Sequence, residues 1–132
     1  MKEDLTELAK QLVKECHGFI EANNYEVIKV EDNYCELLGT IKKTSTNHLG
    51  VAHGGYIFGL ADTAAGIASM TDRRTAVTIS SNIEYYKPAK TKTLKAIATC
   101  TKNGKTISFF EVHIYDEEEN LIAKANLNYC YI

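Results

Sequence analysis

The sequence predicts an α+β fold in which a curved antiparallel sheet wraps one long central helix, with a short helix ahead of the sheet. Three observations predict it. Residues 53–70, HGGYIFGLADTAAGIASM, are apolar nearly all round and too long and alanine-rich for a strand. Four strand-like runs follow, divided by turn signals rather than by helices, and two more come before. Short hairpin connections make the sheet antiparallel, and a helix without a polar face has to be covered on most sides.

The elements follow in order. Leu5, Leu8, Leu12 and Val13 recur at helical spacing, and Gly18 stands where that helix can stop. In YEVIKVED the period becomes two, with Tyr25, Val27 and Lys29 facing one way and Glu26, Ile28 and Val30 the other. After a turn at Asp32-Asn33, YCELLGTIKK sets Cys35, Leu37, Gly39 and Ile41 on one face. TSTNHLGVA, residues 44–52, is a polar loop leading into the central helix. The later strands occupy residues 75–86, 92–102, 106–116 and 120–132. Pro88 stops the first of them, because proline cannot donate to a ladder. Asn103-Gly104 signals a hairpin, and EEEN serves the next turn. With no internal repeat, linker or low-complexity stretch, residues 1–132 read as one domain.

Composition is that of a globular protein, 45% hydrophobic and 24% charged. A net charge of −2 makes no electrostatic case for nucleic acid or an anionic membrane as partner. MKEDLTELAKQLVKEC is charged throughout, unlike a signal peptide, and Asp62 interrupts the best candidate for a bilayer span. Cys16, Cys35, Cys100 and Cys130 are scattered with no C-x-x-C pair. They read as reduced thiols of a cytoplasmic protein, not as a zinc site or disulfide framework. His17 and His113 read as surface or packing residues, while His48 lies in the loop before the central helix. No metal-ligand cluster, P-loop or dinucleotide fingerprint stands out, so no metal or cofactor is expected.

Asp62 is the one charge downstream of His53 in the central stretch, and an ionised carboxylate is costly to bury without a partner. Gly55, Gly59, Gly66 and Ser69 share its stripe at helical spacing, at roughly 1 kcal/mol of helix stability per glycine. Small residues there leave room for another backbone or for a ligand beside the carboxylate. At the helix start, Gly54-Gly55 presents backbone N–H groups with no side chain to block approach, and such a terminus favours negative charge. Asp62 follows Gly54 by eight residues, near enough on the helix to act on a carbonyl held at its start. Donors for an oxyanion plus a carboxylate for attack or base work make an acyl-transfer site. Asn47, in the preceding loop, is placed to orient a water or the carboxylate.

NHLGVAHGGYIFGLADTAAG resembles the signature of the hotdog-fold acyl-CoA thioesterases, specifically the phenylacetate-pathway (PaaI-type) group. NIEYYKPAK is similar to the proline-ended strand that follows the helix there, and the resemblance covers most of the chain. It implies hydrolysis of an acyl-CoA to a carboxylic acid and free CoA, with CoA as part of the substrate rather than a cofactor. It implies Asp62 as the catalytic carboxylate, acting as nucleophile or general base, and Gly54, with Gly55, as the carbonyl-polarising donors. Asn47 then positions the attacking water and His53 orders the loop. It further implies a homodimer or tetramer with each site built between two subunits. Lys87, Lys90 and Lys105 are the candidates for the CoA phosphates, and Asn82, Tyr85 and Tyr86 for the acyl pocket. Where some such enzymes carry a hydroxyl one turn after the carboxylate, this chain has Gly66, and Thr63 points elsewhere. An open sheet edge and much apolar surface independently argue for a homodimer at least. A non-catalytic acyl-CoA-binding or dimerisation module on the same fold is the alternative. A hydroxyacyl dehydratase is disfavoured because no histidine is evident to pair with the carboxylate across the site.

Overall fold

The computed structural model describes residues 4–16 and 18–132. Helix α1 (Leu5–Glu15) and a single turn, α2 (Phe19–Ala22), lead into strands β1 (Tyr25–Glu31) and β2 (Tyr34–Thr40). The central helix α3 (Gly54–Ser69) follows, then β3 (Ala76–Tyr85), β4 (Thr93–Asn103), β5 (Ile107–Asp116) and β6 (Leu121–Tyr131). All six strands form one antiparallel sheet in the order β1-β2-β4-β5-β6-β3. The hairpins pair sequence neighbours, whereas β3 crosses to the far edge and pairs only with β6. Two local turns were not expected: α2, and a 3-10 turn at Lys43–Ser45 that opens the polar loop.

Small side chains on both partners let α3 lie close against the sheet. Leu60, Ala61, Ala64, Ala65 and Ala68 are fully buried, as are Ala96, Ala98, Val112, Ile114, Ala123 and Ala125 on the strands facing them. Alternation places Cys35, Leu37 and Gly39 inward on β2, as the period of two predicts. On β1 the expected alternation fails after Val27. A bulge between Val27 and Lys29 shifts the register, so that Val30 is buried and Lys29 exposed. An inserted residue reverses every face after it, which a strict period of two does not reveal.

The two edges of the sheet are treated differently. The Thr6 hydroxyl on α1 accepts the Val30 N–H at 2.8 Å and donates to the Val30 carbonyl at 3.1 Å, blunting the β1 edge. At the other edge β3 is exposed along almost its whole length, with Val77, Ile79 and Tyr85 all open.

The room left by the small stripe on α3 is filled from within the chain. A Cβ at Gly59 would sit 2.6 Å from the Tyr25 hydroxyl and 2.9 Å from the Phe19 ring, while Gly66 faces the Tyr129 ring at 3.9 Å. At Gly59 aromatic side chains occupy the space that the sequence left open to a partner backbone or a ligand, while at Gly66 a Cβ would still fit.

Candidate active site

The start of α3 is built by its own cap. His53 is the N-cap, and its Nδ1 accepts the Gly55 N–H at 2.8 Å, which requires Nδ1 unprotonated and the ring proton on Nε2. The backbone N–H of His53 donates to Ser45, tying the cap to the 3-10 turn. Gly55 therefore spends its N–H inside the protein. The Gly54 N–H has no acceptor among the described residues and remains the donor available to an incoming oxyanion. Its carbonyl accepts from the Tyr85 hydroxyl at 2.8 Å, and a Cβ at Gly54 would meet that hydroxyl at 3.3 Å. Burial raises the Tyr85 pKa, which keeps the hydroxyl a donor.

Asn47, Gly54, Ile57, Tyr85, Tyr86 and Lys87 border an open cleft of about 340 Å³ beside this terminus. The Asn47 side-chain oxygen accepts the Leu49 N–H at 2.9 Å, so that atom holds the loop's own turn. Lys90 is exposed just beyond the cleft, and His48 is exposed in the loop. His17 lies outside the described residues. His113 sits 3.3 Å from Glu111 and stacks on Tyr115, a packing role.

Asp62 is held further along α3. Its Oδ1 accepts the Thr78 hydroxyl at 2.8 Å, and the Tyr129 hydroxyl lies 2.8 Å from Oδ1 and 2.9 Å from the Asp62 carbonyl. Oδ2 takes no hydrogen bond among the described residues. Tyr129 is 2% exposed, and its pKa is pushed far above the tyrosine range, by burial first and by the Asp62 charge second. It is a permanent donor. Neither Thr78 nor Tyr129 was singled out by sequence. The bulge between Thr78 and Ser80 and the Thr78–Tyr129 pairing of β3 with β6 bring them to Asp62, and no spacing along the chain encodes that meeting.

The structure separates several residues that the sequence grouped. Eight residues of helix place Asp62 about 12 Å beyond Gly54 along the axis, too far for one carbonyl to touch both. On β3, Asn82 is opposite Asn126, and both are exposed. This register puts Asn82 on the face away from α3, whereas Tyr85 reaches the helix through its bond to Gly54. Tyr86 bonds Glu84 at 3.3 Å. Lys90 and Lys105 lie beyond opposite ends of β4, a strand about 33 Å long. The Lys105 backbone carbonyl accepts from Arg74 at 2.9 Å, beyond the C-terminal end of α3.

A six-stranded antiparallel sheet curved round one central helix is the hotdog fold. Residues 49–123 match the family model of the Thioesterase superfamily, and the chain belongs to that family. It is 33% identical over 110 residues to the ComA2 protein of Bacillus subtilis, covering 80% of this chain and 87% of that one. It is similar to the acyl-coenzyme A thioesterase PaaI of Escherichia coli, 25% identical over 104 residues, covering 78% of this chain and 74% of the relative. The solved Escherichia coli PaaI structure superposes with a TM-score of 0.91 at 22% identity, covering 97% of this chain and 94% of that one. A Streptococcus mutans protein solved with bound acetyl CoA superposes at 0.82 with 29% identity, covering 89% and 95%.

Proposed function

We propose that this protein hydrolyses acyl-CoA thioesters to a carboxylic acid and free CoA, with Asp62 as nucleophile or general base and the Gly54 N–H as oxyanion donor. One observation carries the reading: Asp62 has Oδ1 fixed by two hydroxyls and Oδ2 left open beside an unpaired sheet edge. A carboxylate with one oxygen held and the other open can act on a bound group while staying oriented. The free N–H at Gly54 supplies the second half of the chemistry. The acetyl CoA bound to the Streptococcus mutans relative supports CoA as the carrier. The four cysteines are free thiols, which supports a cytoplasmic setting.

The 12 Å between the two halves favours a site shared by two copies. Tyr85 marks the Gly54 end of β3 and Thr78 the Asp62 end. If two β3 strands pair antiparallel about a two-fold axis at their middle, the Tyr85 end of one opposes the Thr78 end of the other. Gly54 of the partner subunit then approaches Asp62, and a homodimer contains two complete sites. The same operation brings the partner's Lys87 and Lys90 toward Lys105, placing cations from both subunits near one mouth for CoA phosphates.

The test is release of CoA from phenylacetyl-, benzoyl-, butyryl-, hexanoyl- and palmitoyl-CoA by the wild type and by Asp62→Asn. Thioester absorbance or mass spectrometry is the proper readout, because the exposed Cys16 thiol would consume a thiol dye. Turnover by the wild type should fall at least about a hundredfold in the variant. An unchanged rate in Asp62→Asn removes the mechanism. Saturable binding with no turnover on any ester replaces the enzyme with a binding module.

A further inference from the structure

Tyr129 meets two acceptors of the same residue. Its ring is buried, edge-on to Phe110 with centroids 5.9 Å apart, and its hydroxyl reaches up to α3. There it lies within 2.9 Å of both the Asp62 carbonyl and the carboxylate Oδ1. A single hydroxyl proton shared between backbone and side chain of one residue fixes the Asp62 χ1 and χ2 together. Thr78 reaches the same Oδ1 from the exposed edge strand, where water can replace it. Tyr129 comes from the interior, where water cannot.

We infer that Tyr129 is a positioning residue, which holds Asp62 so that Oδ2 alone is presented to the thioester or to the attacking water. This inference rests on the proposed role of Asp62 in thioester hydrolysis. Pinning Oδ1 makes the two carboxylate oxygens inequivalent before substrate arrives. It also removes the rotation that would otherwise scatter Oδ2 away from the reacting carbon, which is where preorganisation acts on the rate. Because Tyr129 is buried and its hydroxyl is spent on Asp62, its loss should act on kcat and leave KM nearly unchanged.

Two readouts test the inference, and the first needs no turnover. In the full chain labelled at tyrosine Cζ, the Tyr129 resonance should move as pH is lowered through the carboxylate range, and it should stop moving in Asp62→Asn. A resonance that stays fixed with pH in the wild type overturns the inference whether or not the protein is an enzyme. The second is kinetic. Tyr129→Phe keeps the ring and should lower kcat about ten- to a hundredfold with KM within about twofold. A wild-type rate in Tyr129→Phe alongside an inactive Asp62→Asn sinks the positioning role and leaves the thioesterase reading standing. Absence of turnover in the wild type sinks the thioesterase reading, and the Cζ titration then decides the Tyr129–Asp62 coupling alone.

Discussion

Replacing Gly59 by alanine sets two effects of opposite sign against each other. Helix propensity alone favours alanine by about 1 kcal/mol in a helix interior. The structure says the opposite for this position. The added Cβ would lie 2.6 Å from the Tyr25 hydroxyl and 2.9 to 3.0 Å from two carbons of the Phe19 ring. Phe19 is 60% exposed and can swing away. Tyr25 is buried and donates to the Tyr56 carbonyl at 2.7 Å, so it cannot move without breaking that bond. Leaving a buried hydroxyl and a carbonyl unpaired costs about 1–3 kcal/mol, and overpacking adds a similar amount. After the propensity gain, Gly59→Ala should destabilise by about 2 kcal/mol or more, a drop in Tm of roughly 8 °C. Gly66→Ala is the control, because its Cβ would meet Tyr129 at 3.9 Å, an ordinary contact. There the propensity term stands alone and stability should rise by up to about 1 kcal/mol. Denaturant and thermal melts of both variants measure the contrast. If both are stabilised alike, the glycines on α3 are not there to admit aromatic rings and the reasoning fails.

Two further outcomes follow from the sheet. Ile79→Lys puts a charge on the open β3 edge, so a wild-type dimer in light scattering at micromolar concentration should become monomeric and lose thioesterase rate. A wild type already monomeric would refute the shared site. On the outer face, the Lys95 ammonium, 2.8 Å from Glu36, is the chief cause holding that carboxyl below its ordinary value of 4.5. A depressed folded value contributes stability above pH 4.5 and loses it as pH falls through the lower folded value. Lys95→Met should therefore flatten the acid-side loss of stability seen in denaturant midpoints, and an unaltered pH slope would show the pair contributes nothing.

Local chemistry made much of the fold legible. The all-round apolarity of α3 and the turn residues between runs belong to single segments, and a reader of the chain meets them directly. What stayed hidden depends on registers. The β1 bulge at Ile28 reverses the faces of Lys29 and Val30, turning the lysine out and the valine in where a strict period of two does the opposite. The crossover of β3 to the far edge is likewise invisible, because a strand that pairs only with β6 has the same alternation as one in the middle of the sheet.

The site divides along the same line. Gly54, His53 and Asp62 lie on one helix and its cap, so their spacing is read in sequence and survives folding intact. Even so, spacing alone made the two glycines equivalent, and the His53 imidazole decides between them by taking the Gly55 N–H. The partners of Asp62 lie 16 and 67 residues away, on two strands whose pairing is set by a bulge. Hydroxyls are common along strands, and nothing in the types of Thr78 or Tyr129 separates them from Thr99 or Tyr131. The acidic residue is thus visible from the chain, and the groups that make one of its oxygens different from the other are visible only from the sheet. If catalysis depends on that difference, the residues that matter most after Asp62 are those with the weakest sequence signal.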